Sequence, residues 1–111
     1  MIRRERYEEI MVRIPELLAI ARGKKCQIRI PGICNGNPET TVAAHSNWYE
    51  NGKGGALRAH DCFAAWACSA CHFEIDQGKL LDYEEKKIYW QRGFERTLVA
   101  MFEQGILEVK D

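Results

Sequence analysis

Ala67-Cys68-Ser69-Ala70-Cys71-His72-Phe73-Glu74-Ile75-Asp76 is the stretch that decides how this chain is read. Cys68 and Cys71 form a C-x-x-C pair, a spacing that turns two thiolates toward one ion. His72 follows at once, and Asp76 stands four residues further on. On a short helix from Ser69 to about Gly78, residues at that spacing share a face, so imidazole and carboxylate can ligate one divalent cation. Upstream, Cys26 and Cys34 flank the Pro31-Gly32 turn. The two pairs together supply four thiolates, the donor set of a tetrahedral structural Zn2+ site. A chain of 111 residues has a modest core and gains folding free energy from such a staple. The N-terminal Met1-Ile-Arg-Arg-Glu-Arg has no secretory apolar region, so a cytoplasmic setting with reduced thiols is expected, and metal comes before disulfide.

Other readings of these residues are weaker. Cys68-Ser-Ala-Cys71-His72 also fits the haem-attachment pattern C-x-x-C-H, but that chemistry needs an oxidising compartment and leaves Cys26 and Cys34 without a role. A redox C-x-x-C would sit in a βαβ pattern, which is absent here. His72 could also replace one cysteine at the zinc. Cys62, in the apolar run Cys62-Phe-Ala-Ala-Trp-Ala67, is assigned to the core.

Outward from the quoted stretch, the pattern is α+β. Residues 1–22 read as a helical segment, with Tyr7, Ile10, Ile14, Leu17, Leu18 and Ala21 on one stripe, a break or kink at Pro15, and a stop at Gly23. Gln27 to Ile30 and Thr40 to His45 are strand-like, and Cys62 to Ala67 reads as a buried strand. Ser46 to His60 is polar, carries Gly52, Gly54 and Gly55, and reads as a long loop of the kind that often holds function. About Asp82 to Glu103 is a strong amphipathic helix on Trp90, Phe94, Leu98, Met101 and Phe102. Its apolar stripe is core by default and a homodimer contact as the second reading. Ile106 to Val109 reads as a short final strand. One domain is expected over 1–111, with a zinc-bound core at 23–79 and a C-terminal helix and tail at 80–111. No apolar run is long enough to span a membrane.

The net charge is zero, which alone argues weakly against a nucleic-acid partner, yet its distribution is uneven. Arg22, Lys24, Lys25, Arg29, Lys53 and Arg58 face only Glu39 and Glu50 between Arg22 and His60. Of these, Arg22, Lys24, Lys25, Lys53 and Arg58 are the candidate phosphate contacts. His45 ends the first strand beside the long loop. If zinc presses that strand against the helix, His45 comes near His72. Phosphodiester hydrolysis needs a base to deprotonate water and a cation to neutralise phosphate charge. His45 suits the first role; Mg2+ or another divalent cation on His72, with Asp76 or Asp61, suits the second. The bland reading makes His45 and His60 ordinary loop histidines and Asp76 a helix charge.

The arrangement resembles the ββα-metal, or His-Me finger, core of HNH nucleases. More narrowly it resembles the small phage and prophage nuclease family of the YbcO type, over about residues 21–78. The matching stretches are Ala21-Arg-Gly-Lys-Lys-Cys26 through Cys34-Asn-Gly-Asn-Pro-Glu39, Ala44-His45, Asp61, and Ala67 to Asp76. The resemblance implies a metal-dependent DNA endonuclease for phage recombination or DNA processing in the cytoplasm of a bacterial host. It implies His45 as general base and His72 as ligand of the catalytic metal. Ala44 stands where many HNH enzymes carry a further ligand, and Asp61 is the candidate to supply it. The competing functions are a zinc-stabilised nucleic-acid-binding module without catalysis and an interaction protein that uses zinc only as a staple.

Overall fold

The computed structural model describes residues 11–54 and 57–110. Their architecture is α+β. Helix α1 (Pro15–Ala19) is followed by strand β1 (Val42–His45), strand β2 (Ala64–Ala67), helix α2 (Ser69–Gln77) and helix α3 (Tyr83–Glu103). Single 3-10 turns stand at Pro38–Thr40 and Tyr49–Asn51. β1 and β2 pair antiparallel, with Val42 opposite Ala67 and His45 opposite Ala64.

A two-stranded sheet has open edges, and its outward backbone groups need partners. At Trp66 both are supplied. Its N–H donates to Thr97 Oγ1 at 3.0 Å, and its carbonyl accepts from the Gln27 N–H at 2.7 Å. On β1, the Ala44 carbonyl accepts from the Trp90 indole at 2.9 Å. α3 is thus fastened to both strands by side chains as well as by packing. It begins with a capping box, Asp82 and Glu85 each accepting from the other's backbone N–H. Trp90 is the hub of the core, with Trp48 at 5.5 Å and Phe94 stacked at 5.3 Å. Ile28, Ile30, Ile75, Cys68 and Cys71 complete this cluster, and Ala21, Trp66 and Met101 form a smaller one. Trp90 and Met101 of the α3 stripe are buried in these clusters, while Leu98 and Phe102 of the same stripe stay exposed, at 38% and 52%. No helix among the described residues is long and apolar enough to cross a membrane.

Three expectations are corrected, and one is met in part. Gln27 to Ile30 is not a strand: Arg29 takes a positive φ of 55°, which breaks the extended run, while Ile28 and Ile30 both turn into the core. The break expected at Pro15 is where α1 begins. Pro15 occupies the first turn of α1, where its missing N–H is harmless, and residues 11–14 ahead of it are not helical. Tyr7 and Ile10 lie outside the described residues. Cys62 is exposed, because the strand begins only at Ala64. Ile106 to Val109 forms no strand with any of the described residues. Gly105 turns the chain with a φ of 73°, the Ile106 N–H closes back on the Met101 carbonyl, and Ile106 and Leu107 pack beside Trp66 and Met101.

Candidate functional site

The four expected cysteines converge. The Sγ atoms of Cys26, Cys34, Cys68 and Cys71 all lie within 4.8 Å of one another. Cys34 and Cys68 are 3.8 Å apart at sulfur. A tetrahedral ion with metal–sulfur bonds of about 2.3 Å places its sulfurs roughly 3.8 Å apart, so this edge has the spacing such an ion requires. Backbone N–H groups of Ile30, Asn35 and Cys71 point at the sulfurs, from 3.4 to 3.5 Å, as suits thiolate charge. The contact with Cys71 pulls the Cys26 thiol down to about 4, while the same contact and burial push Cys71 up. Among the described residues this is the only group of three or more such side chains that could hold a metal ion.

His45 closes β1, and its Nε2 lies 2.8 Å from Asp61 Oδ1. Asp61 is buried, and its other oxygen accepts from the Ile14 N–H at 2.6 Å. Burial pushes the Asp61 carboxyl up, but the bonds from His45 and Ile14, with Arg58 nearby, leave it below its ordinary value. An ionised carboxylate only accepts, so the His45 Nε2 that faces it is the donor, and in the neutral ring Nδ1 is then the acceptor nitrogen. Arg13 and Arg58 approach Asp61 Oδ1 at 3.6 and 3.5 Å. Both oxygens of Asp61 thus face protein donors.

His72 and Asp76 sit on the outer side of α2, with Nε2 and Oδ2 3.0 Å apart and both side chains more than a third exposed. The bond to Asp76 holds the His72 imidazole above its ordinary value. Burial pushes Asp76 up, but His72 and Asn47 together bring it below. Asn47, just past His45, donates to Asp76 Oδ1 at 2.8 Å, tying the end of β1 to α2. Adjacent ligands about 2.1 Å from an octahedral cation stand roughly 3.0 Å apart, so these two atoms suit neighbouring positions on one cation, with water or substrate filling the others.

The candidate basic residues are dispersed. Arg58 lies by Asp61, and Lys53 borders a groove with Asp76. Lys24 is held over Trp66 and by Gln104, Lys25 borders a groove over Cys26 and Cys34, and Arg22 borders another with Glu39. His60 Nδ1 accepts from the Val12 N–H and its ring packs edge-on to Phe63. Asn47 and Arg13 were missed from sequence. Asn47 read as one more polar loop residue, and Arg13 reaches the carbonyls of Arg58 and Ala59 from more than forty positions away.

Fold and site together define a small α+β protein with a four-cysteine centre and two histidine–carboxylate pairs bound to neighbouring segments. A family model described as "Putative nuclease YbcO" matches residues 15–106, and the chain belongs to that family. It is 42% identical over 94 residues to the protein of that name from Escherichia coli (strain K12), covering 84% of this chain and 97% of the relative. The same identity and coverage hold for the namesake from Enterobacteria phage 82. A solved structure described as a bacteriophage protein from Escherichia coli str. K-12 substr. MG1655 superposes with a TM-score of 0.63 at 43% identity, covering 79% of this chain and 98% of that one. The names of the relatives support a nuclease function in general.

Proposed function

We propose that this chain is a metal-dependent DNA endonuclease of the ββα-metal (HNH) type, serving phage or prophage recombination or DNA processing. The cysteine centre is its structural Zn2+ site, and β1, β2 and α2 are its ββα unit. The observation that carries the reading is the His45–Asp61 contact of 2.8 Å at the end of β1. Asp61 orients the ring and keeps Nδ1 free to take a proton from water beside a phosphate. Both its oxygens serve His45 and Ile14, so it is assigned to the base and not to the cation. His72 and Asp76 are the cation's protein ligands, and Asn47 keeps Asp76 turned toward His72. A divalent cation bound there supplies charge that neutralises the scissile phosphate and the leaving oxygen. Arg58 and Lys53 are assigned to steer phosphate, with Arg22, Lys24 and Lys25 as outlying contacts.

The test is nicking of plasmid DNA with Mg2+ or Mn2+, wild type beside His45→Ala, with both folds checked by circular dichroism. Loss of the base should slow cleavage about 100-fold or more. Equal nicking removes His45 from this role. If neither protein cuts but both shift DNA in a salt-dependent way, the chain is a binding module.

A further inference from the structure

A groove of about 390 Å³ opens between α2 and the first turn of α3, lined by Asn47, Trp48, Lys53, Asp76, Tyr83 and Lys86 among others. Its chemistry is divided. Asp76 marks the end at the proposed cation site. Lys53 lines it, and Lys86, whose Nζ donates to the Gly78 carbonyl at 2.6 Å, adds a second positive charge. Tyr83, 64% exposed, stands edge-on to the buried Trp48 with ring centroids 6.5 Å apart. The Trp48 indole N–H has no hydrogen-bond partner among the described residues, an uncommon state for a buried donor.

An exposed ring beside two ammonium groups is the combination that holds a nucleotide: phosphate to cation, base to π-face. In a duplex each base face is covered by its neighbours, so only an unpaired base can lie on Tyr83. Resting on the nuclease reading for its position, we infer that the groove takes the unpaired nucleotide next to the cleaved bond. Its base stacks on Tyr83, its phosphates face Lys53 and Lys86, and single-stranded or locally opened DNA is the preferred substrate. Tyr83 is a specificity residue and holds no part of the fold's core.

Binding of fluorescein-labelled dT8 and of a matched duplex is measured by anisotropy on the zinc-loaded full chain carrying His45→Ala, so that nothing is cut. dT8 should bind more tightly than the duplex. Adding Tyr83→Ala should weaken dT8 about tenfold and Tyr83→Phe should restore it, with unfolding temperature and zinc content unchanged. Equal dT8 affinity with and without the Tyr83→Ala substitution overturns the inference, as does tighter binding of the duplex. An rU8 strand bound tenfold more tightly than dT8 overturns the assignment to DNA. Absence of nicking by the wild-type chain, together with Tyr83-dependent dT8 binding, sinks the nuclease reading and leaves the groove standing.

Discussion

Cys71 and His72 are neighbours on α2 with opposite surroundings. Successive helical residues point about 100° apart, so Cys71 is buried in the core while the His72 side chain is 39% exposed. The thiol side gathers four donors from two distant chain segments, and an ion there meets its whole tetrahedral shell in protein. The imidazole side pairs His72 with Asp76 at 3.0 Å, and a cation held there as proposed would have the rest of its shell open to water or substrate. Donor count and burial thus distinguish the proposed fold-holding centre from the proposed reactive one, although one short helix carries both.

The largest effect should follow from Cys71→Ser. Structural zinc in small domains contributes roughly 10–16 kcal/mol of apparent binding free energy, comparable with the whole stability of a domain, about 5–15 kcal/mol. The variant should lose cooperative thermal unfolding, and metal analysis of the parent should find about one zinc per chain. A zinc-free parent with an unchanged melting curve would erase the contrast between the two sides of α2. Next comes Asp61→Ala, which removes the acceptor of the part-buried Ile14 N–H and frees the His45 ring. It should cost about 1–3 kcal/mol in urea unfolding. Asp61→Asn should cost less stability, since its oxygen can still accept from Ile14. Its amide would donate to His45 Nε2 and shift the proton to Nδ1, so cleavage should still fall about 100-fold or more. Cleavage by Asp61→Asn at the wild-type rate would show that the tautomer does not matter.

A smaller effect tests how the thiol side is seated. A Cβ at Gly93 of α3 would stand 2.6 Å from Ile28 Cγ1 and 2.9 Å from its Cα, against the backbone that follows Cys26. Arg96 grips the same backbone through the Gln27 and Ile28 carbonyls. Gly→Ala in a helix normally stabilises by nearly 1 kcal/mol. Here overpacking should reverse the sign and destabilise by about 1–2 kcal/mol, with zinc retained. A rise in melting temperature would show that the loop gives way freely.

What was legible from sequence follows the same division. Cys68-x-x-Cys71 and the Asp82–Glu103 periodicity are local patterns, and α2, α3 and the cysteine cluster stand where those patterns place them. Gln27 to Ile30 alternates like a strand, yet the needs of Cys26 and Cys34 bend it at Arg29, a tertiary demand that overrides propensity. Ile106 and Leu107 are apolar because they cover Trp66 and Met101, which a strand pattern cannot distinguish from pairing. The contacts of Asp61 with Ile14 and Arg13, and of Asn47 with Asp76, join residues far apart in sequence with no spacing rule to announce them.

The smallest stability effect belongs to the open side. Asp76→Asn removes one partner of an ion pair that water already screens, so its cost should stay within about 0.5 kcal/mol. That cost should also depend on pH in the absence of added divalent cation. His72, raised by Asp76 above its ordinary 6.5, contributes stability below that value and loses it as pH rises through the folded-state pKa. Asp76 is lowered below its ordinary 3.8, and its contribution is present above that value and lost as pH falls further. Both terms are therefore whole only between about pH 3.8 and 6.5. The melting-temperature gap between wild type and Asp76→Asn should be widest in that window and close toward pH 8, where cleavage by the variant should nevertheless be lost. A gap that widens above pH 7 would mean that the imidazole does not draw its proton affinity from Asp76, and the two residues would no longer stand as one ligand pair.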